Sequence, residues 1–332
     1  MFTEPAPVNA IASAGKYVFV ATDDELQRWD EDGGVIAMSA DHGLSGDHVV
    51  ALAADADRKW LWILTEGGLG HYDAVQEVYS EAAGPPAALS IDYATLAKEG
   101  AVLSSSAEGG VWIGTTKGLV FVSEKGGWLP TPLKDPVHAL LRDRAGSLWI
   151  GTAKGLVVRS PKGDLEKVAG CEIADVRMLV EAPGDRVMAI GAHEQAHERI
   201  AIGKGTAWTT YRTLPELAWD GAVRRGESVM VMGGGRMYRI SAAGTGARPL
   251  SRDGMRMVAT SGDSSAEWVI DPLDIAVPAG ATVIASAGDR RMIGTRDLGV
   301  ARFRDGDAHA RDWLRRKQMF EDATGLTVAC AK

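Results

Sequence analysis

Short apolar segments separated by polar turns recur along the whole chain. The clearest copies are SLWIGTAKGLVV at 147–158 and GVWIGTTKGLVF at 110–121, and a third, WLWILTEGGLGHYD, occupies 60–73. Apolar or alternating runs of this length, with turn residues every 8–12 positions, are typical of antiparallel β-strands. The pattern therefore predicts an all-β protein built from a repeated β-meander.

Weaker copies of the same phrase extend the repeat in both directions. Aligned on one apolar position of the second strand, the equivalent residues are Phe19, Trp62, Trp112, Trp149, Met188, Met230, Trp268 and Met292. The first six intervals between them are 37 to 50 residues, close to the length of a four-stranded propeller blade. The spacing predicts a single closed β-propeller with eight blades of mostly four antiparallel strands. Seven blades is the alternative, because the last interval, 24 residues, leaves room for only three strands.

Some residues recur at one position of the repeat, and we interpret them as structural. The tryptophans are expected to pack between blades, and the glycines belong to the same repeated phrase. These structural repeat residues are Trp62, Trp112, Trp149, Trp268, Gly114, Gly151 and Gly294.

The repetition runs from one end of the sequence to the other. The phrase IASAG at 11–15 recurs at 284–288, so residues 1–332 are predicted to form one domain. Two irregularities are expected: an insertion at about 81–100 with a short helix, and the short unit before Met292. The C-terminal segment at about 311–332 is expected to supply a closing β-strand.

Composition narrows the classes of partner. Hydrophobic residues make up 45% and charged residues 24%, which are ordinary values for a globular protein. The net charge of −8 argues against nucleic-acid binding, which needs a concentrated basic surface. The two cysteines, Cys171 and Cys330, do not form a disulfide framework, so a reducing compartment is expected. The first residues do not look like a signal peptide and no apolar run spans a bilayer, so we expect a cytoplasmic protein without membrane contact.

The LWIGT…GL phrase, preceded by DHGLSGDHVVAL at 41–52, resembles the repeats of the two-component regulator propellers. In that family a Gly-Leu-Ser turn leads into the first strand, and Trp-Ile-Gly-Thr forms the second. The resemblance implies a propeller fold and, as one alternative, the ligand-sensing role of the family's sensor domains. Propellers of this kind that stand alone also resemble accessory proteins of ATPases or other large assemblies.

One five-residue segment matches a metalloprotease motif literally. Residues 193–197 read HEQAH, but the motif binds zinc only on a helix, which places both histidines on one side. Here the segment joins two predicted strands, which favours a polar hairpin turn. The alternative is a metal site at His193 and His197, and with it a metal-dependent hydrolase or another propeller enzyme. We predict no catalytic set and no cofactor.

Four tryptophans lie outside the repeated position. Exposed aromatic residues are enriched in protein interfaces, so these are candidates for interaction, with packing on their own blade as the alternative. They are Trp128, Trp208, Trp219 and Trp313. The sequence as a whole predicts a non-enzymatic protein-interaction scaffold or accessory subunit, with other proteins as partners, for example an ATPase or a signalling assembly.

Overall fold

The described strands form antiparallel sheets that succeed one another along the chain, with one strand displaced into a neighbouring sheet. The computed structural model describes residues 6–30, 34–55, 57, 59–89, 91–193, 198–243, 256–262, 268–287, 290–296, 299–304 and 312–314. Its strands form seven sheets, six with four strands and one with five, and each sheet is a blade of a seven-bladed β-propeller. The all-β prediction is confirmed.

One compact unit comprises residues 1–82 and 274–332 and holds blades 1, 2 and 7. Blade 1 consists of β1 (Val8–Ala14), β2 (Tyr17–Thr22), β3 (Leu26–Trp29) and β4 (Val35–Met38). Blade 2 consists of β5 (Val49–Ala54), β6 (Trp60–Thr65), β7 (Leu69–Asp73) and β8 (Val78–Glu81). Blade 7 consists of β26 (Ala281–Ala287), β27 (Arg290–Thr295), β28 (Val300–Arg304) and β29 (Asp312–Leu314).

The second compact unit, residues 83–273, holds blades 3 to 5 and blade 6 apart from the last residues of its fourth strand. Blade 3 consists of β9 (Val102–Ser105), β10 (Gly110–Thr115), β11 (Gly118–Ser123) and β12 (Trp128–Pro130). Blade 4 consists of β13 (Val137–Arg142), β14 (Leu148–Thr152), β15 (Gly155–Arg159) and β16 (Leu165–Lys167). Blade 5 consists of β17 (Asp175–Ala182), β18 (Arg186–Ala192), β19 (Glu198–Lys204), β20 (Ala207–Leu214) and β24 (Arg256–Ser261). Blade 6 consists of β21 (Trp219–Arg225), β22 (Ser228–Gly233), β23 (Arg236–Ala242) and β25 (Trp268–Ala276).

The prediction of eight blades is wrong, and the error lies at Trp268. This tryptophan begins β25, which is the fourth strand of blade 6 and not the second strand of a further blade. Between β23 and β25 the chain contributes β24 to the outer edge of blade 5. Trp268 and Ile270 are nonetheless 5% and 2% exposed. A buried outer strand therefore has the same apolar pattern as an inner one, and periodicity alone does not separate them.

The repeated glycine of the IGT phrase lies where one blade meets the first strand of the next. A Cβ atom on Gly151 would lie 2.7 Å from the Val176 Cγ1, and one on Gly114 would lie 2.4 Å from the Val137 Cγ1. Gly294 of blade 7 makes the same contact with Val8 of blade 1. Because real Cβ atoms do not approach other atoms so closely, only glycine fits this position.

The threonine of the same phrase fixes the turn between the second and third strands. The Oγ1 of Thr152 donates a hydrogen bond to the carbonyl of Gly155 at 2.8 Å and accepts one from the Lys154 N–H at 3.0 Å. Thr65 makes the corresponding bonds to the Gly68 carbonyl and from the Gly67 N–H in blade 2. The side chain thus satisfies backbone groups that the tight turn leaves without ladder partners.

The segment between blades 2 and 3, where an insertion is expected, contains a 3₁₀ turn (Ala87–Leu89) and the helix α1 (Tyr93–Glu99). Asp92 caps α1 by accepting a hydrogen bond from the Thr95 N–H at 2.8 Å. In the part of the chain that the structure describes, no helix has the length and apolar character needed to cross a membrane.

Candidate functional site

The first strand of a blade carries a β-bulge near its start. Among the described residues this register shift occurs in six blades, and the extra residue that it leaves without a partner is Asn9, Val50, His138, Arg177, Asp220 or Thr282. We call these six residues the bulge positions. A bulge turns a side chain away from the regular pleat, and five of the six residues are exposed. The backbone bulge is thus the same in these six blades, while the side chain at the bulge position differs in its chemistry.

In blades 4 and 5 the bulge positions belong to a continuous chain of ionic contacts, and the carboxylate of Asp220, the bulge position of blade 6, acts electrostatically on the last member, Glu198. The Nδ1 of His138 lies 2.8 Å from the Asp175 Oδ1, and the Nε of Arg177 donates to the Asp175 Oδ2 at 2.9 Å. Arg177 also pairs with Glu198, whose Oε1 lies 3.5 Å from its Nη1. We call His138, Asp175, Arg177, Glu198 and Asp220 the charged cluster.

Glu198 connects blade 5 with blade 6. Its Oε2 accepts a hydrogen bond from the backbone N–H of Trp219 at 2.6 Å, immediately before the bulge at Asp220. The Glu198 side chain is 12% exposed, whereas that of Arg177 is 53% exposed. The carboxylate is therefore held inside and the guanidinium is presented outward.

Burial raises the pKa of two carboxyl groups in the cluster. Desolvation raises the pKa of Glu198, a rise that the Trp219 N–H and Arg177 oppose and the Asp220 carboxylate reinforces. Desolvation likewise raises the pKa of Asp220. No described cation or hydrogen-bond donor pairs with the Asp220 carboxylate, whereas Arg177 pairs with both Asp175 and Glu198.

In blades 7, 1 and 2 the bulge positions are satisfied locally. The Nδ2 of Asn9 donates to the Asp23 Oδ1 at 2.8 Å and to the Val49 carbonyl at 3.1 Å. The Thr282 hydroxyl donates to the Val8 carbonyl at 2.8 Å. Val50 is apolar. These positions hold neighbouring strands together and present no ionic group.

The HEQAH segment follows β18 and precedes β19 in the sequence. Ala192, the residue before it, pairs in register with both Asp175 and Glu198, so His193 follows a residue that lies next to the charged cluster. His193 is partly exposed, while His197 lies outside the described residues. No group of three or more His, Cys, Asp or Glu side chains is arranged to hold a metal ion in the ranges that the structure covers.

The candidate interaction tryptophans are buried where their side chains are described. Trp128, Trp208 and Trp219 are 7%, 4% and 5% exposed. The Nε1 of Trp128 donates to the Ala83 carbonyl at 2.8 Å, and Trp208 packs against Trp149. Trp313 lies in β29 opposite Ala301, and its side chain is outside the description. The described three therefore serve packing, and the charged groups around Trp219 are what reach solvent.

The repeat tryptophans Trp62, Trp112 and Trp149 are buried in the second strands of blades 2, 3 and 4.

Cys171 is partly buried beside the blade 5 core, and burial raises the pKa of its thiol to about 11. Cys330 lies outside the described residues. The charged cluster is not visible in the sequence because its members come from three blades, with His138 and Asp220 82 residues apart. The one signal is a polar residue within the apolar first strands of blades 4 and 5, as at VHALL and VRMLV.

Comparison with known proteins confirms the resemblance to one family. The family model of the two-component regulator propeller matches residues 132–154, which include β13 and β14 of blade 4. Among curated proteins, none matches the sequence.

Solved structures share the fold at low sequence identity. The extracellular domain of a hybrid two-component system from B. thetaiotaomicron is 13% identical with a TM-score of 0.60, covering 90% of this chain and 40% of that one. Virginiamycin B lyase from Staphylococcus aureus is 10% identical with a TM-score of 0.58, covering 90% and 94%. The protein YCF48 bound to a D1 peptide is 13% identical with a TM-score of 0.56, covering 91% and 93%. The chain thus spans well under half the length of the first of these, and the similarity establishes the β-propeller fold alone.

Proposed function

We propose that this protein is a non-catalytic binding propeller, an interaction scaffold or accessory subunit that binds another protein through the charged cluster. The observation that carries the proposal is the outward presentation of His138, Arg177 and Asp220 from bulges on three successive blades. These groups stand on first strands of packed sheets, so little conformational entropy is lost when a partner binds them.

The chemistry of the cluster favours binding over catalysis. Its members are three carboxylates, a guanidinium and an imidazole, of which Asp175 and Glu198 are already engaged in hydrogen bonds. None of the five is a hydroxyl, thiol or amine nucleophile. Such a set provides directional ion pairs and hydrogen bonds, which give an interface its specificity and orientation.

The YCF48 structure supports the proposal by analogy, because it is a similar fold bound to a peptide.

For the present chain we propose that the partner is a protein of a larger assembly, such as an ATPase or a signalling complex, and that binding takes place in the cytosol. Fractionation of cells that produce the tagged full-length protein tests the compartment.

The binding role is tested by affinity purification of the tagged full-length protein after cross-linking in its own cells. The double variant Arg177→Ala/Asp220→Ala should lose at least one protein that the wild type captures in stoichiometric amount. The matched control is Lys204→Ala/Asp185→Asn, which alters an exposed ion pair of 3.4 Å at the opposite end of blade 5. Capture of the same proteins by all three forms contradicts the proposal.

Ligand sensing is the second candidate, and the match of residues 132–154 to the regulator-propeller model favours it. Under this hypothesis the same cluster binds a small ionic ligand. The two candidates differ in what the wild-type protein captures: a scaffold retains a protein after cross-linking, and a sensor retains a small molecule that mass spectrometry detects after denaturation.

A further inference from the structure

We infer that the segment recognised by the charged cluster is a polypeptide of mixed charge, with an acidic side chain opposite His138 and Arg177 and a basic side chain opposite Asp220. This inference rests on the proposed function and specifies the chemistry of its partner.

The cationic half of the site lies on blades 4 and 5. Both oxygens of Asp175 are occupied, Oδ1 by the His138 Nδ1 and Oδ2 by the Arg177 Nε. The inner carboxylate therefore fixes the imidazole and the guanidinium while their outer edges face solvent, since the two side chains are 37% and 53% exposed. Within the described ranges no residue accepts a hydrogen bond from the Nη2 of Arg177. A carboxylate is the group that this outer edge matches, because guanidinium N–H groups and carboxylate oxygens pair directionally.

The anionic half lies on blade 6. Asp220 is exposed at the bulge of β21, and none of the described cations pairs with it. Its neighbour Glu198 has its Oε2 on the Trp219 N–H and its Oε1 near Arg177, so Glu198 has little capacity left for an incoming group. Asp220 is thus the carboxylate that an incoming lysine or arginine meets, and Glu198 adds to the negative potential beside it.

The order of the charges gives the site a direction. The first strands β13, β17 and β21 pack side by side in succession, so His138, Arg177 and Asp220 follow one another in that order. A segment crossing these strands meets donors first and an acceptor last. A nucleic acid would place phosphates against Asp220 as well as against Arg177, which makes a chain carrying both signs of charge the better match.

The inference is tested with an array of 12-residue peptides in four classes: acidic and basic residues combined, acidic only, basic only, and uncharged. The probe is the labelled full-length protein. We expect the wild type to retain mixed-charge peptides about 10-fold more than any other class at low salt, and to lose this preference in high salt because ion pairs at an open surface are screened.

Two charge reversals make the test specific. Asp220→Lys should move the preference to acidic peptides, and Arg177→Glu should move it to basic ones. The control Asp185→Lys, at the opposite end of blade 5, should leave the preference unchanged. His138→Gln is a milder variant, which should weaken retention of mixed and acidic peptides without changing that of basic ones. Thermal unfolding of each variant shows whether it is folded.

The outcomes separate this inference from the proposed function. Retention of mixed-charge peptides that neither reversal alters contradicts the inference, as does retention of all classes alike or a stronger binding to single-stranded DNA used as a competitor. If peptides show no preference but the affinity purification still depends on Arg177 and Asp220, the proposed function stands and the mixed-charge partner is wrong. If neither experiment depends on these residues, both are wrong.

Discussion

The bulge positions of blades 7, 1 and 2 and those of blades 4 to 6 share a backbone and differ in how their side chains are satisfied. Asn9 and Thr282 donate to the carbonyls of neighbouring strands. His138 and Arg177 instead pair with a carboxylate and present the rest of their polar atoms to solvent. One group of blades uses the bulge to join strands, and the other uses it to build a surface.

This difference shows which part of the repeat is free to vary. The glycine and valine beside the bulge are fixed by packing, because the approach of Gly294 to Val8 in the first unit matches that of Gly151 to Val176 in the second. The bulge residue itself is held by the backbone whatever its side chain. The side chain at a bulge position can therefore be replaced without repacking the blade, and this makes the position suitable for functional residues.

The largest effect should come from the shared packing. Gly151→Ala and Gly294→Ala should each lower the free energy of unfolding by about 1–3 kcal/mol, because the new Cβ atom overpacks against a valine. Denaturant unfolding measures this. Gly84→Ala is the control, since nothing lies within 4 Å of its added Cβ. Because Gly→Ala lowers the entropy of the unfolded chain, Gly84→Ala should be neutral or slightly stabilising, and an equal loss there would mean that the blade contact is not the cause.

A second contrast concerns buried and exposed hydrogen bonds. Glu198→Ala should cost about 1–3 kcal/mol, because the Trp219 N–H and the Arg177 guanidinium lose a buried acceptor. Asn9→Ala should cost about 0.5–1.5 kcal/mol, because water can reach the groups that it leaves. Urea unfolding measures the free energy of unfolding of both variants. A larger decrease for Asn9→Ala than for Glu198→Ala would contradict the view that the Glu198 hydrogen bond is the more buried of the two.

The two regions should also respond to pH in opposite directions, starting with Glu198. Its pKa is raised above the ordinary 4.5, so the native state holds this proton more tightly than the unfolded chain does. Stability contributed by the bound proton is present below 4.5 and is lost as pH rises through the raised value. Glu198→Gln should therefore gain stability relative to the wild type as pH increases from about 4 to 7. A difference that stays constant over this range would contradict the raised pKa.

Glu77 in the first unit is the counterpart. Hydrogen bonds from the Tyr17 hydroxyl and from Arg28, the latter at 3.0 Å, lower its pKa below the ordinary 4.5. A lowered carboxyl pKa contributes stability above 4.5 that is lost as pH falls through the lowered value. The melting temperature of Glu77→Gln should thus be below that of the wild type near neutral pH and should approach it in acid. Equal deficits at both pH values would show that the hydrogen bonds do not depend on ionisation.

The smallest effect on stability should come from the residues that we assign to binding. Arg177→Ala and His138→Ala should each change the free energy of unfolding by about 0–1 kcal/mol, since partly exposed ion pairs contribute little. Thermal unfolding measures the change. A loss as large as that of Gly151→Ala would place these side chains in the structural framework and weaken their assignment to a partner.

The fold was largely predictable, and the number of blades was not. Strand periodicity and the spacing of Trp62, Trp112 and Trp149 are local properties, so the repeat is visible before folding. The assignment of Trp268 failed because burial of an outer strand depends on which sheet it joins. The hydrogen bonds by which Thr152 fixes its turn could not be predicted, although the threonine is part of the repeated IGT phrase. A threonine hydroxyl can bond to several nearby backbone groups, and the sequence does not decide among them.

The amino-acid sequence by itself determined the β-propeller, because its turns, apolar strands and small residues repeat at intervals that a blade requires. Only the tertiary structure decided that there are seven blades and that His138, Arg177 and Asp220 form one surface. The physical reason is that the strand pattern depends on residues close together in the sequence, whereas the number of blades and the shared surface depend on contacts between residues far apart in the sequence. Hydrophobic periodicity acts over a few residues, whereas the ion pairs from His138 to Asp175 and from Arg177 to Glu198 exist only after separate strands have been brought together by the packing of the blades.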